Sequence, residues 1–134
     1  MIISDVPAST TPTTTWRVLL VDDDPLVCDS IRRMLEFDQC QVQAATSAAD
    51  ALAICERDVF NLVILDYMMP IMKGDQLAVA LKARYPDMPI IMITADAEKV
   101  EGTLETPAGV DLLMAKPFQL TDLRQAVRKV LAGA

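Results

Sequence analysis

The sequence predicts an α/β protein built on a parallel sheet, and three observations carry that prediction. Five short apolar runs alternate with segments whose apolar residues recur every three or four positions. Three of the runs are apolar throughout, as strands covered on both faces should be. Helix caps and prolines stand at the boundaries such an alternation requires.

Residues 1–15, MIISDVPASTTPTTT, are rich in Thr, Ser and Pro without periodicity and read as a flexible N-terminal tail. Residues 16–134 read as one domain. RVLLV (17–21) is the first strand. Asp24-Pro25 then fits an N-cap followed by proline at the first helical position, and Val27, Ile31 and Leu35 form one helix face. CQVQAA (40–45) is the second strand. Ser47 can cap the next helix, with Asp50 three residues on, and Ala48, Leu52 and Cys55 mark its apolar face. LVILD (62–66) is the third strand, and Leu77, Leu81 and Tyr85 trace a helix that Tyr85-Pro86 closes. PIIMIT (89–94) is the fourth.

The next segment, AEKVEGTLETPA (97–108), should hold a helix, but Gly102 and Pro107 interrupt it. That helix is expected to be short, to end by about Leu104–Glu105 and to open more easily than its neighbours. DLLMA (111–115) is the fifth strand, and Leu123, Val127, Val130 and Leu131 line the last helix. No internal repeat and no linker to a second domain is evident.

Bulk properties exclude several classes. A chain of 134 residues suits one domain with a real core, and 52% hydrophobic residues with mean hydropathy +0.29 are too apolar for disorder. No apolar run approaches the ~18 residues of a membrane span, and the N-terminus lacks the basic start of a signal peptide. The expectation is a cytoplasmic protein with no membrane insertion. A net charge of −7 and a pI near 4.4 argue against nucleic acid as a partner. Cys28, Cys40 and Cys55 lack metal or disulfide spacing and read as small buried hydrophobes. There is no histidine, which removes Ser-His and Cys-His catalysis and imidazole metal sites. Any chemistry must run on carboxylates, Lys, Thr and backbone.

In an open parallel sheet, ligands bind beyond the carboxyl ends of the strands. Those ends carry Asp22-Asp23-Asp24, Asp66, Thr94 and Lys116-Pro117; the second strand adds only Thr46 and Ser47. Asp24 alone reads as a helix cap, and a lone acid, Thr or Lys at a strand end is ordinarily a turn residue or a solvated charge. Their coincidence on one edge is what points to a site. Clustered carboxylates raise one another's pKa unless a cation joins them, and a hard, oxygen-preferring ion such as Mg²⁺ suits them. A carboxylate beside Mg²⁺ and a lysine can attack phosphorus to give an acyl phosphate, with the lysine and a Thr hydroxyl on the transferring group.

LLVDDDP, LVILDYMMP followed by Gly74, IMITA and AKPF together strongly resemble the receiver domain of two-component response regulators, over roughly residues 16–132. The resemblance implies a flavodoxin-like (βα)5 doubly wound fold, a five-stranded sheet in order 2-1-3-4-5 with helices on both faces. It implies Asp66 as phosphoacceptor and Mg²⁺ (Mn²⁺ as an alternative) held by Asp23 directly, Asp22 through water, Asp66 and the Met68 backbone carbonyl. Thr94 and Lys116 match the switch hydroxyl and the phosphate-binding lysine, and the Lys116–Pro117 peptide is expected to be cis. Two positions depart from the family: Leu113 stands where an aromatic residue is typical, and the fourth helical segment is interrupted. Both concern signal transmission.

The implied function is to accept a phosphoryl group from a histidine kinase or histidine phosphotransfer protein and to switch protein–protein contacts. The chain would catalyse only its own phosphorylation and dephosphorylation, and so is not an enzyme in the metabolic sense. Three other readings are a phosphorylation-independent interaction module on the same fold, the receiver part of a longer response regulator, and an aspartyl phosphatase. The last would want an acid two residues after the nucleophile, where Met68 stands. The downstream target is left open.

Overall fold

A computed structural model describes residues 15–69, 71–95 and 108–132. The elements run β1 (Arg17–Val21), α1 (Pro25–Phe37), β2 (Gln41–Ala45), α2 (Ala48–Arg57), β3 (Leu62–Asp66), α3 (Gly74–Arg84), β4 (Ile90–Thr94), β5 (Leu112–Ala115) and a last helix, here α4 (Leu120–Ala132). The five strands form one sheet in the order β2-β1-β3-β4-β5, every pair parallel. The doubly wound sandwich expected from the sequence is the one observed.

Alternation along the central strands builds both cores. Leu19, Val21, Val63, Leu65, Ile90 and Met92 face one side, where Ala51 and Ile54 of α2 and Leu77 and Leu81 of α3 cover them. Val18, Leu20, Leu62, Ile64, Ile91 and Ile93 face the other, under Ile31 and Leu35 of α1 and Leu123 and Val127 of α4. Both β3 and β4 are buried at every position. Each fully buried Leu or Ile contributes about 1.5–3 kcal/mol relative to an exposed one, so these rails set the register firmly.

The expected caps form. Asp24 is extended and its carboxylate accepts the Leu26 N–H at 3.0 Å, with Pro25 opening α1. The Ser47 hydroxyl accepts the Asp50 N–H at 3.1 Å. Three strands begin one residue later than the apolar runs. The Cys40 N–H turns back to the Leu35 carbonyl at the end of α1. Pro89 has no N–H to give, although its carbonyl accepts from Val63. Asp111 gives its N–H to the Ile90 carbonyl at 2.9 Å but takes the Ile90 N–H on its carboxylate at 2.8 Å, which also pairs with Lys82 at 2.9 Å.

All three cysteines are free and buried, as the composition suggested. Among the described residues no helix is long and apolar enough to cross a membrane. The expectations for the tail up to residue 14 and for the interrupted helical segment up to Pro107 lie outside the described residues.

Candidate functional site

β1 stays in register with β2 and β3 up to Val21, which lies opposite Ala45 and Leu65. The next residue, Asp22, therefore leaves the sheet at its carboxyl edge, anchored by its N–H on the Ala45 carbonyl at 3.1 Å. β3 ends on Asp66 opposite Ile93, and β4 ends on Thr94 opposite Ala115. Lys116 follows immediately, its N–H on the Thr94 carbonyl at 2.7 Å, and the Lys116–Pro117 peptide is cis, as expected.

Register thus brings the predicted acids together. Carboxylate oxygens of Asp22, Asp23 and Asp66 all lie within 4.8 Å of one another. Asp22 and Asp66 are buried and Asp23 is exposed, so the cluster has a dry floor and one wet side. The Lys116 amine reaches in from the far side of β4, with Nζ 3.8 Å from Asp66 Oδ1. Thr94 is fully buried between them in strand order. The Met68 N–H points back at Asp66 Oδ1 at 3.4 Å, while the Met68 side chain is about half exposed, at 49%.

Burial dominates the electrostatics. It pushes the Asp22 carboxyl up from 3.8 to about 6, against a hydrogen bond from the Asp24 N–H, with the charge on Asp66 pushing the same way. Burial also raises Asp66, opposed by the Lys116 ammonium and the Met68 N–H, while the Asp23 charge adds to the rise. Two desolvated acids and a third beside them make an all-oxygen donor set that a small divalent cation would relieve. The donor chemistry fits such an ion. The Cys28 Sγ donates to the Asp22 backbone carbonyl at 3.5 Å.

The structure gives two residues a part that the sequence reading had not assigned them. Gly74 opens α3 directly against the carboxyl end of β3: a Cβ there would lie 2.5 Å from the Asp66 carbonyl oxygen and 2.7 Å from the Tyr67 Cα. Its N–H bonds the Tyr67 carbonyl at 2.9 Å, closing the loop after β3. A glycine opening the helix that follows the Asp66 loop was the available signal. The second is Cys28, one helical turn beyond the Asp24 cap, whose polar atom has a specific acceptor.

Comparison with known proteins agrees with this architecture. A family model described as the response regulator receiver domain matches residues 18–128. The response regulator MprA of Mycobacterium leprae is 36% identical over 115 residues, covering 86% of this chain and 50% of that protein. The chain spans about half the length of the curated relatives it matches. Among solved structures, a response regulator receiver domain protein (CheY-like) from Methanospirillum hungatei has a TM-score of 0.83 at 32% identity, covering 90% of this chain and 96% of that one. The response regulator TrrA from Thermotoga maritima, solved in complex with Mg²⁺-BeF, has a TM-score of 0.79 at 26% identity and covers 87% of this chain and 99% of its own.

Proposed function

We propose a function from one premise: this chain belongs to the response regulator receiver domain family. It accepts a phosphoryl group onto Asp66 from a phosphohistidine donor, a histidine kinase or a histidine phosphotransfer protein. The observation that carries this reading is the convergence of three carboxylates within 4.8 Å and an amine 3.8 Å from the buried member. The chain modifies only itself, acts in the cytoplasm, and passes the signal on through protein contacts.

In the forward step a carboxylate oxygen of Asp66 attacks phosphorus. The O–P bond forms as the donor's P–N bond breaks, and the electron pair leaves with the donor imidazole, which takes its proton from water. Mg²⁺, or Mn²⁺ in its place, would be held by Asp23, Asp66, the Met68 backbone carbonyl and, through water, Asp22, and would neutralise charge on the transferring group. Lys116 comes from across β4, so its ammonium meets the phosphoryl oxygens from the side opposite the acidic turn. The Thr94 hydroxyl bonds one of those oxygens once the group is in place. Later attack by water on phosphorus releases inorganic phosphate and restores the carboxylate.

Acetyl phosphate with Mg²⁺ tests the reading. The intact mass should rise by one phosphoryl group, and EDTA or Asp66→Asn should abolish the gain. An undiminished gain in Asp66→Asn would remove Asp66 from its role.

A further inference from the structure

The acidic turn between β1 and α1 has a demanding job. The chain must leave the sheet at Val21, present Asp22 and Asp23 toward Asp66, and enter a helix at Pro25 within three residues. Proline fixes the exit by forcing Asp24 into an extended conformation. The Asp24 N–H goes to Asp22 Oδ1 at 2.9 Å, which orients that carboxylate against its own turn. Two anchors hold the turn from outside. The Asp22 N–H is tied to β2 through the Ala45 carbonyl. On the other side stands Cys28.

Cys28 is 3% exposed and packs in the layer that α1 and α4 form over the sheet. Its N–H bonds the Asp24 carbonyl at 3.1 Å, as the first turn of a helix requires. Its thiol does something a purely apolar residue could not: Sγ donates to the Asp22 carbonyl at 3.5 Å. Asp22 lies beyond the last ladder pair of β1, so among the described residues this thiol is the donor its carbonyl has. A buried carbonyl left without a donor costs on the order of 1–3 kcal/mol, so the contact has something to lose.

We propose that Cys28 is a positioning residue for the acidic turn, its thiol fixing the Asp22 backbone and thereby the aim of the Asp22 carboxylate at the divalent cation. The inference rests on the reading of Asp22, Asp23 and Asp66 as the cation-binding acids. It assigns the cysteine no contact with the ion and no chemistry of its own. Residues that hold metal ligands in place commonly change metal affinity 10–100-fold when removed, and this one acts through a backbone carbonyl, so the effect belongs at the low end.

Three variants separate positioning from packing. Cys28→Ser keeps a donor at nearly the same volume, Cys28→Val keeps an apolar filling without a donor, and Cys28→Ala removes both. Binding of MgCl₂ is measured by calorimetry, and the melting temperature is read with and without Mg²⁺. The wild type should gain melting temperature on adding Mg²⁺. Cys28→Val and Cys28→Ala should bind Mg²⁺ about 10-fold more weakly and lose most of that gain, while Cys28→Ser stays within a few-fold of wild type. Loss of stability without Mg²⁺ reports packing and the freed Asp22 carbonyl together, so it is read separately from the Mg²⁺ affinity. Equal Mg²⁺ affinity in all three variants and wild type overturns the inference while leaving the acid cluster intact. Wild type that neither binds Mg²⁺ nor gains stability from it overturns the cation reading itself.

Discussion

Lys116 and Asp66 meet across an intervening strand: Nζ of the first lies 3.8 Å from Oδ1 of the second, although β5 and β3 are not neighbours in the sheet. The lysine extends over the end of β4, where Thr94 sits. That ammonium is the largest influence opposing the upward push of burial on the Asp66 carboxyl. Lys116→Met should therefore raise the Asp66 pKa further, visible as a higher midpoint in a carboxyl carbon-13 titration. It should also slow phosphorylation by acetyl phosphate at least tenfold, since a tenfold change needs only ~1.4 kcal/mol of lost charge stabilisation. An unchanged midpoint would mean that the pair is not electrostatically coupled.

Asp22 gives a pH dependence of defined sign. Its folded-state pKa is about 6 against 3.8 for an ordinary carboxyl, so between those values the folded chain binds a proton the unfolded chain has released. This contribution to the stability of the cation-free protein is present below pH 3.8 and is lost as pH rises through about 6. In EDTA the urea midpoint should decline over that window, and Asp22→Asn should flatten the decline. Saturating Mg²⁺ should also oppose it, because the ion takes the ionised form and competes with the proton. A midpoint that climbs with pH across the same window in EDTA would reverse the argument.

Gly74 is there for space. The Cβ of an alanine would fall 2.5 Å from the Asp66 carbonyl oxygen and 2.7 Å from the Tyr67 Cα, both backbone atoms without a rotamer to yield. Gly74→Ala should cost roughly 1–3 kcal/mol in urea denaturation, the usual range for overpacking, and should weaken Mg²⁺ binding by moving Asp66. Tyr67 adjoins this contact, and the Lys73 amine stands 5.9 Å over its ring, so tyrosine emission should follow the ion. Trp16 precedes the opposite end of β1 and should not respond.

Ile71 adopts φ of +71° while fully exposed in the loop between β3 and α3. A β-branched residue in the left-handed region costs roughly 1–2 kcal/mol, and no burial offsets it here. Ile71→Gly removes that cost at an entropic penalty of about 0.5–1 kcal/mol. A small rise in melting temperature is expected, and a fall would show that the side chain has a partner in solution.

Much of this was legible because the relevant signals are local. The apolar runs that became β1, β3 and β4 and the Asp24 and Ser47 caps announce themselves within a few residues. The rule that parallel sheets present function at strand ends then put Asp22, Asp66, Thr94 and Lys116 on one edge without any coordinate. What stayed hidden depends on three-dimensional register. The Cys28 thiol looks like any small core residue until the Asp22 carbonyl is placed 3.5 Å away. The need for Gly74 appears only when α3 lands on the Asp66 backbone. The edge strands begin late because Cys40 and Asp111 spend their polar groups elsewhere, on the end of α1 and on the Ile90 N–H.

The central claim is that one carboxylate, Asp66, carries the phosphoryl group. An aspartyl phosphate is an acyl phosphate, so borohydride reduces the modified residue to homoserine and leaves free carboxylates untouched. The protein should be phosphorylated with acetyl phosphate and Mg²⁺, quenched with borohydride and sequenced by peptide mass spectrometry. The account predicts homoserine at position 66 alone. Homoserine at 22 or 23, or none at 66 despite a phosphoryl gain in intact mass, would contradict it.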